Sequence, residues 1–277
     1  MALTRENRKG SSTMIDNLIL IDPGFHSFDG HQYNYLKNIV LSAQSRGMPC
    51  HILSNENATD TIKQEFSPVA AFNFLGVEFI NDFSTNPTMN YNYNFFHFNL
   101  RFLSSLVAAT QNLPPLDANT VAFFSTANFR HLLGILSWLD LFPETKRPRP
   151  VILLRDRDHL PERSAPLHRM MLPILASPRF RARLCSESPA MVAHYAGLAG
   201  SVVDLIPIPI DPERYRRTDM DRSKGAPVVA FLGQARLSKG FQLLPDILER
   251  LWTSHPDAEA LVQTQLGEFD PQHDAPI

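Results

Sequence analysis

A basic pair, Arg236 and Lys239, follows an apolar run at residues 228–232 and comes just before Gly240. Arginine offers a planar fork of N–H donors and lysine a point charge, and both suit phosphate oxygens. Between a strand and a helix, they would share that work with the backbone N–H groups of the helix start. Taken alone, the same residues fit a solvated basic turn better. A second group follows residues 151–154: Arg155, Asp156 and, a little further on, His159. Arginine cannot act as a base at neutral pH. Arg155 therefore either binds an anionic group or belongs to a surface charge cluster over residues 155–158. Asn128 and His131 follow an apolar run at residues 120–124, on the carboxyl edge where open α/β sheets bind ligands.

Gly30 stands just before a helical stretch, where a backbone without Cβ can approach a ligand closely. A turn before a helix explains it nearly as well. His31 beside it either touches a substrate or is a polar surface group. Residues 90–97 are rich in Asn, Tyr and Phe. Phe95, Phe98 and Phe102 recur at helical spacing and belong to a core. Tyr91 and Tyr93 are the two rings left to stack on a sugar, although core packing is the commoner fate of such a stripe.

The elements that must hold these residues alternate. Residues 17–21 form a buried strand, and Asp29 can cap a helix whose Leu36, Ile39, Val40 and Ala43 share one face. Strands are expected at residues 50–53, 76–80, 120–124, 151–154, 181–185 and 201–206. Helices are expected at 91–111, 129–141, 167–176 and 189–199. Alternating strands and helices give a doubly wound parallel sheet with helices on both faces. Residues 1–13 read as a disordered tail, 14–210 as an N-terminal α/β domain and 211–227 as a polar linker. Residues 228–277 read as the start of a second Rossmann-like domain, with a strand at 228–232, a helix at 240–252 and a further strand at 261–265. Two such domains facing each other suit a nucleotide-linked ligand.

The 277 residues carry 26 Lys plus Arg against 28 Asp plus Glu, a balance that gives nucleic acid no general attraction. No stretch reaches the roughly twenty apolar residues of a membrane span, and the polar start lacks the core of a secretory signal. A cytoplasmic protein is expected. The two cysteines, Cys50 and Cys185, have no metal-ligand spacing and are expected as buried free thiols. Lys146, Arg147, Arg149, Arg179, Arg181 and Arg183 form either a solvated charged face or a contact for anionic lipid heads.

Four segments in order carry a resemblance. They are the strand, glycine-bearing loop and helix over residues 18–47, the strand ending in Cys185-Ser186-Glu187-Ser188, the run Ile206-Pro207-Ile208-Pro209-Ile210-Asp211, and the run from Phe231 to Phe241 with its Lys239-Gly240. Together they resemble the GT-B glycosyltransferases, most closely the retaining family-four type, from about Asn17 to about Gly267.

The resemblance implies transfer of a sugar from a nucleotide diphosphate sugar to a saccharide or lipid-linked acceptor. It implies an acceptor-side N-terminal domain and a donor-side C-terminal one, without a metal or other cofactor and with at most peripheral membrane contact. It places donor phosphate at Arg236, Lys239, Gly30 and Gln234, where Gln234 replaces the family's arginine. Acceptor-side candidates are His31, Asn128, Arg155, Asp156 and Tyr91. Arg155 stands where some members carry a histidine near the reacting sugar, so no catalytic residue is assigned.

The family's pair of glutamates seven residues apart does not follow Gly240, where the glutamates are Glu249, Glu259 and Glu268. The donor domain is thus expected to be truncated and the chain inactive alone. A non-catalytic sugar- or nucleotide-binding module and a nucleotide-sugar epimerase of the same shape are the alternatives. A dinucleotide dehydrogenase is disfavoured, because residues 22–30 lack its glycine pattern.

Overall fold

The computed structural model describes residues 15–27, 31–74, 87–155, 161–209, 227–231 and 240–262, excepting the side chains of His31 and of residues 87–94 and 161–165. The chain divides into two compact units, residues 1–212 and 213–277.

The first unit is α/β, with a seven-stranded parallel sheet flanked by helices in a Rossmann-like arrangement. Its strands are β1 (Asn17–Ile21), β2 (Cys50–Asn55), β3 (Val69–Phe72), β4 (Thr120–Ala127), β5 (Arg149–Leu154), β6 (Arg183–Ser186) and β7 (Val203–Leu205). Its helices are α1 (His31–Gln44), α2 (Asp60–Phe66), α3 (Pro87–Thr110), α4 (Phe129–Asp140), α5 (Pro161–Ala176) and α6 (Pro189–Ala199).

The strands lie in the order β3-β2-β1-β4-β5-β6-β7, every pairing parallel. The chain runs outward from β1 to β3, crosses back to lay β4 beside β1, then runs outward the other way. The reversal leaves a switch point between the carboxyl ends of β1 and β4, where a crevice opens in such sheets.

Alternation along each strand sorts the apolar residues into two cores. Ile19, Ile21, Phe124, Ile152, Leu154 and Leu184 pack with Phe98 of α3, Leu132 of α4, Leu172 of α5 and Tyr195 of α6. Their immediate neighbours Leu20, Phe123, Leu153 and Cys185 face the other way and pack with Leu36 of α1 and Ile62 of α2. Period-two side-chain direction produces this division, and it is why the strands read as unbroken apolar runs.

Helices α3 and α4 pack at close range. The Gly134 N–H donates to Asn99 Oδ1 at 2.7 Å, and a Cβ on Gly134 would stand 2.7 Å from the Phe102 ring.

The second unit contains β8 (Val228–Phe231), a short 3-10 turn (Phe241–Leu243), α7 (Leu244–Ser254) and β9 (Glu259–Val262). Strand β9 runs parallel to β8, pairing Glu259 with Val228 and Val262 with Phe231. The Trp252 indole N–H donates to Ala258 O at 2.9 Å and pins the return from α7 into β9.

Several expectations shift. The strand expected at 261–265 lies at Glu259–Val262, set by its register on β8. Strand β3 and helix α2 were not anticipated, and the strand expected at 76–80 falls outside the described residues. Helix α5 starts six residues earlier than its apolar stripe, at Pro161, and keeps Pro166 and Pro173 within it.

Candidate functional site

The carboxyl ends of β1, β4, β5 and β6 bring together a buried polar cluster. Strand β1 ends on Ile21, and the next residue, Asp22, is 1% exposed. Its Oδ1 accepts the Gly24 N–H at 2.9 Å. Its Oδ2 accepts the hydroxyls of Ser125 at 2.7 Å and Thr126 at 3.2 Å, both near the end of β4. Burial raises the Asp22 pKa above the ordinary carboxylate value, while the Ser125 and Gly24 bonds, the Arg155 charge and the Thr126 bond pull it back down. The loop after β1 is held from below. The Asn55 side-chain amide, at the end of β2, donates to Pro23 O at 3.1 Å and Phe74 O at 3.0 Å.

Two strands further along, β5 delivers Arg155. Its backbone N–H still reaches Ala127 O of β4, which fixes the residue to the sheet edge. The neighbouring β6 supports the same corner, since the Ser186 hydroxyl donates to Leu154 O at 2.7 Å. Arg155 is 8% exposed, so the surface charge cluster considered for it does not describe this side chain. Its guanidinium lies 4.4 Å from the centre of the Tyr35 ring of α1. Its Nη2 stands 2.7 Å from Glu187 Oε1, just past β6. The two charges meet, yet Nε, Nη1 and Nη2 of Arg155, Oε1 of Glu187 and the Tyr35 hydroxyl all lack an aligned hydrogen-bond partner. The Tyr35 phenol is held protonated by burial, which raises its pKa.

The remaining sequence candidates divide. The Asn128 side chain is occupied as the cap of α4, accepting the Arg130 N–H at 3.0 Å. The Asn128 N–H in turn donates to His131 Nδ1 at 3.3 Å. His131 is buried between the Phe98 and Phe102 rings, and burial lowers its pKa to about 3, so it is a neutral core group. The Tyr91 side chain and the His31 side chain are not described, and Gly30, Asp156, His159, Gln234, Arg236 and Lys239 lie outside the described residues. Sequence reading missed Asp22, Tyr35, Ser125, Thr126 and Glu187 as site residues. A carboxylate directly after a fully apolar strand, and a Ser-Thr pair closing another, were the signals available.

The opposite, amino-terminal edge carries a cavity of about 590 Å³ lined by Arg147, Arg149, Arg179, Arg181 and Arg183. Its arginines are engaged within the protein. Buried Arg147 donates to Leu139 O at 2.8 Å, to Phe142 O at 3.1 Å and to Arg179 O. Arg179 pairs with Asp140, and Arg183 with Asp204 at 2.6 Å. Ligands of open parallel sheets gather at the other edge, so the Asp22–Arg155 cluster is the better candidate.

Cys50 is half-buried and Cys185 buried; both are free, and burial pushes each thiol up to about 11, away from nucleophilic use. Among the described residues no His, Cys, Asp and Glu group has a metal-holding arrangement, and no helix is long and apolar enough to cross a membrane. No protein-family model matches the chain, and no curated protein matches it by sequence.

Proposed function

We propose that this chain is a GT-B type glycosyltransferase, or part of one, that moves a sugar from a nucleotide diphosphate sugar to a saccharide or lipid-linked acceptor. The observation that carries the reading is the position of the buried polar cluster. Asp22, Ser125 and Thr126 occupy the β1–β4 switch point, and Arg155 and Glu187 continue the same edge. In this reading that edge is the acceptor side. The Lys-Gly turn of the second unit takes the donor, with Arg236 and Lys239 as cations for the diphosphate and Gln234 close to them in sequence, and Gly30 of the first unit is a further candidate for donor phosphate. A leaving diphosphate gathers negative charge as the glycosidic bond breaks, and fixed cations stabilise that change without a metal or other cofactor. The protein would work in the cytoplasm, at most peripherally at a membrane.

A second reading, a non-catalytic sugar- or nucleotide-binding module, is favoured by Arg155 itself. Arginine stands where some of the resembled enzymes carry a histidine, and it cannot act as a base at neutral pH.

Calorimetric titration of the 277-residue chain with UDP and GDP tests the donor side. The expected result is binding of at least one of them, weakened about tenfold or more by Arg236→Ala with Lys239→Ala. Equal affinity in the double variant, or no binding of either nucleotide, would refute the assignment.

A further inference from the structure

Helix α3 is apolar on two neighbouring faces. Phe95, Phe98, Phe102 and Leu106 belong to the core it shares with the sheet. Phe96, Leu100, Leu103 and Val107 stand at i, i+4, i+7 and i+11, a second stripe along one side of the helix. Phe96 and Leu100 are 61% and 63% exposed, and Leu103 and Val107 are half-buried.

The neighbouring helices continue this surface. Helix α4 packs between α3 and α5. Its Gly134 meets α3, and Leu132, Ile135 and Leu139 go to the core, which turns half-buried Leu133 and Ser137 outward. Helix α5 adds the exposed side chains of Met170 and Ile174. On the other face of the sheet, α2 turns Lys63, Gln64 and Glu65 to solvent instead, and Lys37 of α1 pairs with Glu65 at 2.8 Å. Single exposed apolar residues are ordinary, but an apolar face spread over three adjacent helices marks a binding surface.

Two charges on α4 decide what binds. Arg130 lies in its first turn and Asp140 at its end. Asp140 pairs with Arg179, yet its side chain stays 49% exposed. The central helix of the face is therefore positive at its start and negative at its end. Such a surface is complementary to itself turned end for end. A two-fold pair sets one patch against its own copy. With the two α4 helices antiparallel, Arg130 of each copy meets Asp140 of the other, and the helix dipoles oppose favourably. The same turn lays each Phe96 toward Val107 of the second copy. An anionic bilayer fits less well, because Asp140 would face the lipid heads.

We infer that the outer face of α3, α4 and α5 is a homodimer interface, with the α4 helices antiparallel across a two-fold axis. The interface lies within the first unit and does not depend on the sugar-transfer reading.

Sedimentation velocity of the full chain over a concentration series tests this, with flotation on phosphatidylserine vesicles as a second arm. The expected result is a reversible monomer–dimer equilibrium and no vesicle binding. Leu100→Glu, at a largely exposed position, should weaken the dimer about tenfold or more with the thermal midpoint unchanged. Arg130→Glu should weaken it about tenfold, because it sets like charges face to face, while Arg130→Lys should leave it unchanged.

A chain that stays monomeric at every concentration would overturn the inference. So would association that runs past the dimer, or a dimer unmoved by Leu100→Glu or by Arg130→Glu. Vesicle binding that Leu100→Glu abolishes would overturn it in favour of a lipid surface. The measurements on the unsubstituted chain need no variant to fold.

Discussion

Two histidines that titrate in water are carried here as neutral packing groups. His131 lies edge-on to the Phe98 and Phe102 rings, and His168 packs against the Phe129 and Tyr195 rings. Burial lowers their pKa values to about 3 and about 4, from an ordinary 6.5. The unfolded chain therefore takes up protons below pH 6.5 that the folded chain refuses. Stability from these two residues is fully present above that pH and is lost as pH falls toward the folded values. The loss approaches about 1.4 kcal/mol per pH unit for each histidine. Urea unfolding midpoints measured from pH 7 to pH 5 should fall, and His168→Phe should flatten the slope by about one proton. A slope unchanged in that variant would contradict the account. His131 shows what sequence can miss at this scale. Its place after an apolar strand suggested a ligand contact, while its partners, Phe98 and Phe102, come from a helix some thirty residues earlier. Asp22 was missed for the same reason, because Ser125 and Thr126, which hold it, lie about a hundred residues on.

Among the elements, legibility followed burial. Strands β1, β4 and β5 are covered on both faces, and their apolar runs made them plain. Strand β3 has four residues with a single fully buried side chain, Phe72, and α2 buries only Ile62, so neither offered a repeating pattern. The helix pair α3–α4 depends on one residue type at its contact. A Cβ on Gly134 would press on Phe102 at 2.7 Å and on Asn99 O at 3.1 Å. Gly134→Ala would force the helices apart or the phenylalanine off its rotamer, at about 1–3 kcal/mol. Thermal unfolding of that variant should show a clearly lowered midpoint despite alanine's better helix propensity. An unchanged or raised midpoint would mean that the contact has slack.

For the molecule as a whole, the α/β class and the parallel sheet, though not the order of its strands, were readable from the alternation of short apolar runs with one-sided helical stripes. The site was not, since it exists only once β4 lies beside β1. Crossing back to that position collects Asp22, Ser125, Thr126, Arg155 and Glu187 from four separate stretches of chain onto one edge. The arginines of the opposite edge, which read from sequence as a solvated charged face or a contact for lipid heads, are largely committed by the fold to its own carbonyls and carboxylates.

The two edges can be told apart in one experiment on the 277-residue chain: mapping of amide chemical-shift changes on addition of a simple saccharide such as glucose. Shifts gathered at Asp22, Ser125, Arg155 and Glu187 are the expected result. Shifts gathered around Arg147, Arg149 and Arg181, or spread without focus, would contradict the claim that ligand chemistry in this protein takes place at the carboxyl edge of the sheet.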